Sequence, residues 1–151
     1  MTSHPFDVVI LSSVDWDAAW QRHHAFAALW AAAGHRVFFV ENTGSREPGL
    51  RDLGRVARRL GKIAGGGRRQ GRAPLPAGVR VYNPLVLPPT RELFRKANSA
   101  LFAPRVAGML RKDGLGPMPV VFAYLPTQTT LSLLDGLGPS LAVYDCVDNF
   151  Y

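Results

Sequence analysis

The sequence has little of what would point outside the cytoplasm. Cys146 is the one cysteine among 151 residues, so no disulfide can form within the chain, which fits a reducing compartment. No apolar run reaches the roughly 18 residues that a membrane-spanning helix needs. Residues 1–7 show no basic start and no small-residue cleavage site, and the apolar run Val8–Leu11 is too short for a signal peptide. We therefore expect a cytoplasmic protein.

Several nucleotide-binding and catalytic signatures are also absent. The loop Ser12–Asp17, after the first predicted strand, has no glycine, so NAD or FAD binding is not expected. The chain has no P-loop and no G-x-S-x-G nucleophile elbow. His23 and His24 are adjacent and so face different sides of a helix, which does not make a metal pair. We expect neither a resident cofactor nor a metal ion.

What the sequence does contain is a regular alternation of short apolar runs with helical patterns. Such an order predicts an α/β fold, a Rossmann-like three-layer sandwich with a mostly parallel sheet, over residues 1–151. Ligands of these folds bind beyond the carboxyl ends of the strands, so any active site is expected in the loops that follow them. The predicted strands are 7–12, 36–41, 79–82, 119–124 and 140–145.

Helix limits are predicted from capping residues. Asp17 can cap a helix over about 18–33, and Gly34 stands where a left-handed residue would end it. Thr90 can cap a second helix that runs to about residue 112, with a kink or break at Pro104. A third helix is predicted over 127–137. Between the second and third strands, a basic helix and a glycine-rich loop form an insertion at about 47–76.

The first candidate binding site follows the first strand. Trp16, Trp20, Arg22 and His23 lie in that loop and in the first turns of the next helix. A helix N-terminus attracts anions, and Arg22 would add a bidentate donor. The alternative is that Trp20 and His23 are core residues and Arg22 is solvated. Two tryptophans beside a strand end favour substrate binding.

The second candidate lies at the end of the fifth predicted strand. Asp145 and Asp148 carry carboxylates that can orient a sugar hydroxyl or act as a catalytic base. The alternative is structural: Asp148 caps a following helix, and Asp145 accepts hydrogen bonds from loop N–H groups. The residues alone leave both interpretations open.

The third candidate is the basic insertion, in a chain whose formal net charge is +7. A helix with one apolar stripe and arginines on its other faces can lie on an anionic membrane, although the stripe can equally pack on the sheet. Nucleic acid is not expected as a partner, because the segment lacks aromatic residues for base stacking. The basic residues proposed for membrane or anion binding are Arg51, Arg55, Arg58, Arg59, Lys62, Arg68 and Arg69.

Three stretches together resemble a known family. Residues 15–24 with 34–41 are similar to a Trp-x-Arg-like loop followed by a "GH-x-V" strand entry, and 142–150 is similar to a "VYD-x-x-D" segment. Residues 81–89 carry the third likeness. In this order and spacing, the chain resembles the N-terminal half of GT-B glycosyltransferases of the retaining, family-four type. Among them it is similar to bacterial enzymes of surface polysaccharide or teichuronic acid synthesis.

The resemblance implies a two-domain hexosyltransferase that needs no catalytic metal. Its N-terminal domain would bind a lipid-linked or cell-envelope glycan acceptor. Its C-terminal domain would bind the nucleotide-sugar donor and carry an acidic E-x-x-x-x-x-x-x-E motif. This sequence holds neither that domain nor that motif, so the 151 residues alone are expected not to transfer sugar.

The resemblance extends to particular residues. Asp145 stands where many relatives place a histidine, so a hydroxyl-binding role is the more modest expectation for it. Trp16, Trp20 and Arg22 match the loop that lines the acceptor side of the cleft. The basic insertion matches a region where several relatives grip the inner face of the cell membrane. The alternatives are a standalone basic α/β module that binds anionic membrane surfaces and, more weakly, a nucleotide-binding domain of another superfamily.

Overall fold

The computed structural model describes residues 5–41, 74–84 and 92–146, except the side chains of residues 94 and 95. Its centre is a sheet of five parallel strands in the order β3-β2-β1-β4-β5. The fold is therefore parallel α/β, as predicted, and its strand order is compatible with a Rossmann-like domain. The strands are β1 Asp7–Leu11, β2 Arg36–Val40, β3 Val79–Tyr82, β4 Val120–Ala123 and β5 Leu141–Tyr144.

Burial explains why the sheet forms in this order. Every residue of β1 is buried, and four of the five residues of β2 are buried, because both strands lie inside the sheet with helices packed on its faces. Such strands are apolar throughout rather than alternating. β1 is central, with Val8 opposite Val37 on one side and Val120 on the other.

The helices lie on both faces of the sheet, which gives the predicted three layers. One face of the sheet, with Val8, Ile10 and Phe39, packs against helix α1 (Arg22–Ala32) through Ala27. The opposite face packs against helices α3 (Ala103–Lys112) and α4 (Gln128–Leu137). The core residues on that second face include Val9, Leu11, Phe38, Val40, Tyr82, Leu110, Val121, Leu133 and Leu137.

Helix α1 begins later than its predicted start, and Asp17 is not its cap. Residues before it form a turn, with the Ala18 N–H donating to the Asp15 carbonyl at 3.0 Å. Gln21 is the N-cap, and its N–H donates to His24 Nδ1 at 3.0 Å. The side chain of His24, the third residue of the helix, thus accepts a hydrogen bond from the backbone of the N-cap residue Gln21. The helix begins with this contact and without an acidic N-cap. The prediction for Gly34 is confirmed, because its φ of +89° is left-handed.

The predicted break at Pro104 is confirmed and takes the form of a π-helical turn. Helix α2 (Glu92–Ala97) runs into the π turn Asn98–Phe102, which leads directly into α3. Pro104 has no N–H to continue the α-helical hydrogen-bond ladder, and a π turn is one way to accommodate that gap. The proposed cap Thr90 lies outside the described residues.

Helix α4 agrees with the predicted limits. Thr127 is its N-cap, with Oγ1 accepting from the Thr130 N–H at 3.1 Å, and Gly138 follows it at a φ of +56°. The strand after it, β5, is the outer strand of the sheet. Leu141 is 55% exposed and Tyr144 47% exposed, so neither face of β5 is well covered in the described part of the chain.

Among the described residues, no helix combines the length and the apolar character needed to cross a membrane. The basic insertion falls almost entirely outside the described residues, and so do its seven proposed anion-binding side chains and Asp148.

Candidate functional site

Between the carboxyl ends of β1 and β4 lies the position at which open parallel sheets form a ligand crevice, and the term crevice is used for the side chains at this position. From β1 the sheet continues to β2 on one side, and from β4 it continues to β5 on the other. The connections that leave these two strands therefore run in opposite directions. This topological switch point is where open parallel sheets bind their ligands. The following side chains lie at that edge.

The first contact at this position is between a buried serine and a buried histidine. Ser12 directly follows β1, and His23 is the second residue of α1; both are fully or almost fully buried. Ser12 Oγ and His23 Nδ1 are 2.9 Å apart. Ser12 Oγ also lies 2.9 Å from the Val14 carbonyl, to which it donates, and it accepts from the Val14 N–H at 3.1 Å. The contact thus fixes the orientation of the imidazole at the start of α1.

Tyr124 extends this cluster towards β5. Its ring stacks on His23, with centroids 3.6 Å apart and planes inclined by 15°. Burial raises the pKa of the Tyr124 hydroxyl well above its usual range, and the nearby Asp145 carboxylate raises it further. The Tyr124 hydroxyl is therefore a neutral donor at any physiological pH.

Asp145 and Arg22 form an ion pair next to Tyr124. Asp145 follows β5, and its Oδ1 accepts from Arg22 Nη1 at 2.9 Å. The Asp145 N–H donates to the Ala123 carbonyl of β4, so the backbone that carries the carboxylate is held in the sheet. The Arg22 side chain is half exposed, whereas that of Asp145 is mostly buried. The ion pair therefore orients the carboxylate, whose Oδ2 is buried and which interacts with the Tyr124 hydroxyl.

Three buried oxygens belong to residues that follow β4 and β5. They are the Tyr124 hydroxyl, Thr129 Oγ1 in the first turn of α4, and Asp145 Oδ2. A hydrogen bond to Asp145 is one of the causes that raise the pKa of Tyr124, so these two side chains interact with each other. Tyr124 also belongs to the core cluster that packs against α1, so this polar group lies where the core meets the loops that follow the strands.

An aromatic group borders the crevice on the β2 side. Trp16 is buried, and its ring meets Phe39 edge-on at 4.9 Å. The backbone N–H of Trp16 donates to Oε1 of Glu41, just past the end of β2, at 2.7 Å. Trp20 is exposed and stacks on His24. Trp16 thus lies in the core and supports Trp20, and only the latter presents a face to solvent.

The structure brings together Arg22, His23 and Asp145, which the sequence placed far apart in two separate candidates. Ser12 and Tyr124 complete the cluster, and neither was singled out from the sequence. Ser12 lies in a predicted ligand loop, whereas Tyr124 is the last residue of a predicted strand. Its position at the end of β4, next to the centre of the sheet, is the signal that could have identified it.

No group of three histidine, cysteine or acidic side chains in the described ranges is arranged to hold a metal ion. Comparisons with protein-family models, with curated proteins and with solved structures found no match to the chain. The structure thus defines the class of the protein, a parallel α/β domain with a cluster of polar side chains at its switch point.

Proposed function

We propose that this chain is a sugar-binding Rossmann-like domain, the acceptor-binding N-terminal half of a GT-B glycosyltransferase. The observation that carries the proposal is the polar cluster at the switch point, in which the Arg22–Asp145 ion pair adjoins Tyr124 and the Ser12–His23 contact. The sequence resemblance given above supplies the enzyme class, and the crevice supplies the chemistry for the ligand.

The donor and acceptor pattern favours hydroxyl groups over phosphate. A sugar hydroxyl both donates and accepts, so it can join the interacting Tyr124 and Asp145 side chains in either role. A phosphate offers mainly acceptors and would be repelled by the Asp145 carboxylate, while Arg22 is already engaged with that carboxylate. A neutral, hydroxyl-rich acceptor therefore fits the crevice best.

Within the proposed enzyme, Asp145 orients the acceptor hydroxyl and is the candidate base for its proton. Arg22 holds Oδ1 and so fixes the carboxylate, and His23 supports the Tyr124 ring. The nucleotide-sugar would bind a separate C-terminal domain. We therefore expect the natural reading frame to encode such a domain with an acidic E-x-x-x-x-x-x-x-E motif, which sequencing downstream of codon 151 would reveal.

Binding by the chain itself tests the crevice directly. We would titrate cellotriose, maltotriose and mannotriose, followed by calorimetry or by amide chemical shifts. Asp145→Asn keeps the shape of the side chain but removes its charge. It should weaken binding about tenfold, as expected for losing a hydrogen bond to a charged group. Asp135→Asn, an exposed substitution on α4, is the matched control and should bind like the unmodified chain.

Two results would reject the proposal. One is the absence of binding by any of the three saccharides. The other is equal affinity in the Asp145→Asn and Asp135→Asn variants, which would mean that the ligand does not reach the crevice.

A second candidate function is contact with an anionic membrane surface. The charge distribution favours it: residues 42–73 hold nine lysines and arginines against two acidic residues, whereas the rest of the chain has nine of each. The whole excess of positive charge thus lies in one segment. Each basic residue near an anionic surface contributes roughly 1 kcal/mol, so this segment would be sufficient for salt-sensitive binding.

A further inference from the structure

Trp20 presents one face of its indole to solvent at the same edge of the sheet as the crevice. The residue is 63% exposed, whereas Trp16 beside it is 3% exposed. The other face of the Trp20 indole stacks on the His24 ring, with centroids 5.2 Å apart and planes inclined by 26°. Leaving an indole face in water forgoes apolar burial, so a fixed and exposed tryptophan suggests that something covers it.

The rings beneath Trp20 hold it rigidly. His24 is fully buried, its Nδ1 accepts from the Gln21 N–H, and its Nε2 lies 3.3 Å from the Asp15 carbonyl. Phe39 of β2 stacks on the far face of His24, with planes inclined by 24°. Trp16 meets both Trp20 and His24 edge-on. We call Trp20 with the His24 and Phe39 rings beneath it the platform. Because Phe39 belongs to β2, the platform is anchored in the sheet and preorganised for a flat ligand.

The platform is also uncharged. Because His24 Nδ1 accepts a backbone hydrogen bond, the ring proton lies on Nε2 and donates to the Asp15 carbonyl, which is the neutral tautomer. An uncharged aromatic surface of this kind suits a neutral ring.

We propose that the exposed face of Trp20 is a stacking subsite for a pyranose ring of the acceptor, next to the polar crevice. The inference rests on the proposed function, because it takes the ligand to be a saccharide. One residue separates Trp20 from Arg22, so their Cα atoms are at most about 7 Å apart. Because Arg22 in turn pairs with Asp145, a saccharide of two or three rings that begins on the indole can extend to Asp145.

The indole N–H resonances of the three tryptophans test this subsite. We would assign them in a nitrogen-15 spectrum by single Trp→Phe substitutions and titrate the same three saccharides. The Trp20 resonance should shift, whereas that of Trp30, which packs with Phe6 and Phe122, should not. Trp20→Ala should weaken binding roughly three- to tenfold, and the matched control Trp30→Phe should leave it unchanged.

The two proposals fail in distinguishable ways. Weaker binding in Trp20→Ala supports the subsite, whatever the result for Asp145→Asn. Weaker binding in Asp145→Asn with no change in Trp20→Ala overturns the subsite and leaves the crevice standing. If no saccharide binds, both proposals fall. If tetramethylammonium shifts the Trp20 resonance and the saccharides do not, the platform binds cations and the pyranose assignment is wrong.

Discussion

Removing the exposed partner of the Asp7–Arg36 ion pair should destabilise the fold more than neutralising the buried one. Asp7 begins β1 and its side chain is 7% exposed, whereas that of Arg36, at the start of β2, is 54% exposed. Arg36 donates to both carboxylate oxygens, at 2.7 and 2.8 Å, and the Gly116 N–H donates to Oδ2 at 2.6 Å. The carboxylate is thus buried and held by three donors.

The two substitutions leave different groups behind. Arg36→Ala leaves a buried carboxylate with only the Gly116 N–H, and we expect a loss of about 3 kcal/mol, the lower end for breaking a buried pair. Asp7→Asn leaves a neutral amide whose oxygen can still accept one bond, and it returns Arg36 to water. That change should cost about 1–2 kcal/mol.

Urea unfolding followed by circular dichroism measures both free energies by linear extrapolation. Arg105→Ala, an exposed arginine on α3, is the control and should change the free energy by less than about 0.5 kcal/mol. If Arg36→Ala lowered the free energy of unfolding no more than Asp7→Asn does, the burial of an unpaired Asp7 carboxylate would not be the main cost of breaking the ion pair. The pair would then behave as an ordinary surface salt bridge.

Three further predictions concern the core, a buried tyrosine and the basic segment. Leu110→Ala should lower the free energy of unfolding by about 2–5 kcal/mol, whereas the exposed Leu131→Ala should change it little; equal losses would contradict the assigned faces. Burial, with a hydrogen bond to Asp113 next in importance, raises the pKa of Tyr82 to about 12. Since this folded-state value exceeds the usual 10, the contribution of Tyr82 to stability is complete below pH 10 and lost as pH rises through 12. Tyr82→Phe should therefore flatten the alkaline loss in unfolding experiments, and an unchanged slope would refute the assignment. The chain should sediment with anionic but not neutral liposomes at low salt. Unchanged sedimentation after charge reversal in the basic segment, residues 42–73, would exclude that segment as the membrane-binding surface. The charge-reversed positions are Arg55, Arg58 and Arg59.

The sheet could be predicted from the sequence because its strands are continuous apolar runs. The predicted limits of β3 agree with the structure residue for residue, and those of the other strands differ only at their ends. The start of α1 could not be predicted in the same way, because Asp17 is a good capping residue in isolation. In the structure, the turn at Asp15–Ala18 and the contact between His24 and Gln21 move the start of the helix to Arg22. This later start is favoured because it lets Trp16 and His24 be buried together.

The candidate site was only partly predictable for a related reason. Residue type and position at strand ends pointed to Arg22, His23 and Asp145, but their proximity depends on β5 pairing with β4. Tyr124 looks like a strand residue in the sequence, and only its stacking on His23 and its interaction with Asp145 show that it belongs to the candidate site. Sequence spacing alone cannot tell that Trp16 is covered while Trp20 is exposed.

The outer position of β5 has a mechanical consequence for Asp145. Within the described part of the chain, β5 is hydrogen-bonded on one side only, and its Leu141 and Tyr144 side chains are about half exposed. Edge strands open at lower free energy than central ones, so Asp145 follows an edge strand, whereas Ser12 follows the central strand β1. A strand that paired with the outer side of β5 would raise the free energy of opening at Asp145. In the proposed function, ligand affinity and growth of the sheet would therefore be coupled through Asp145.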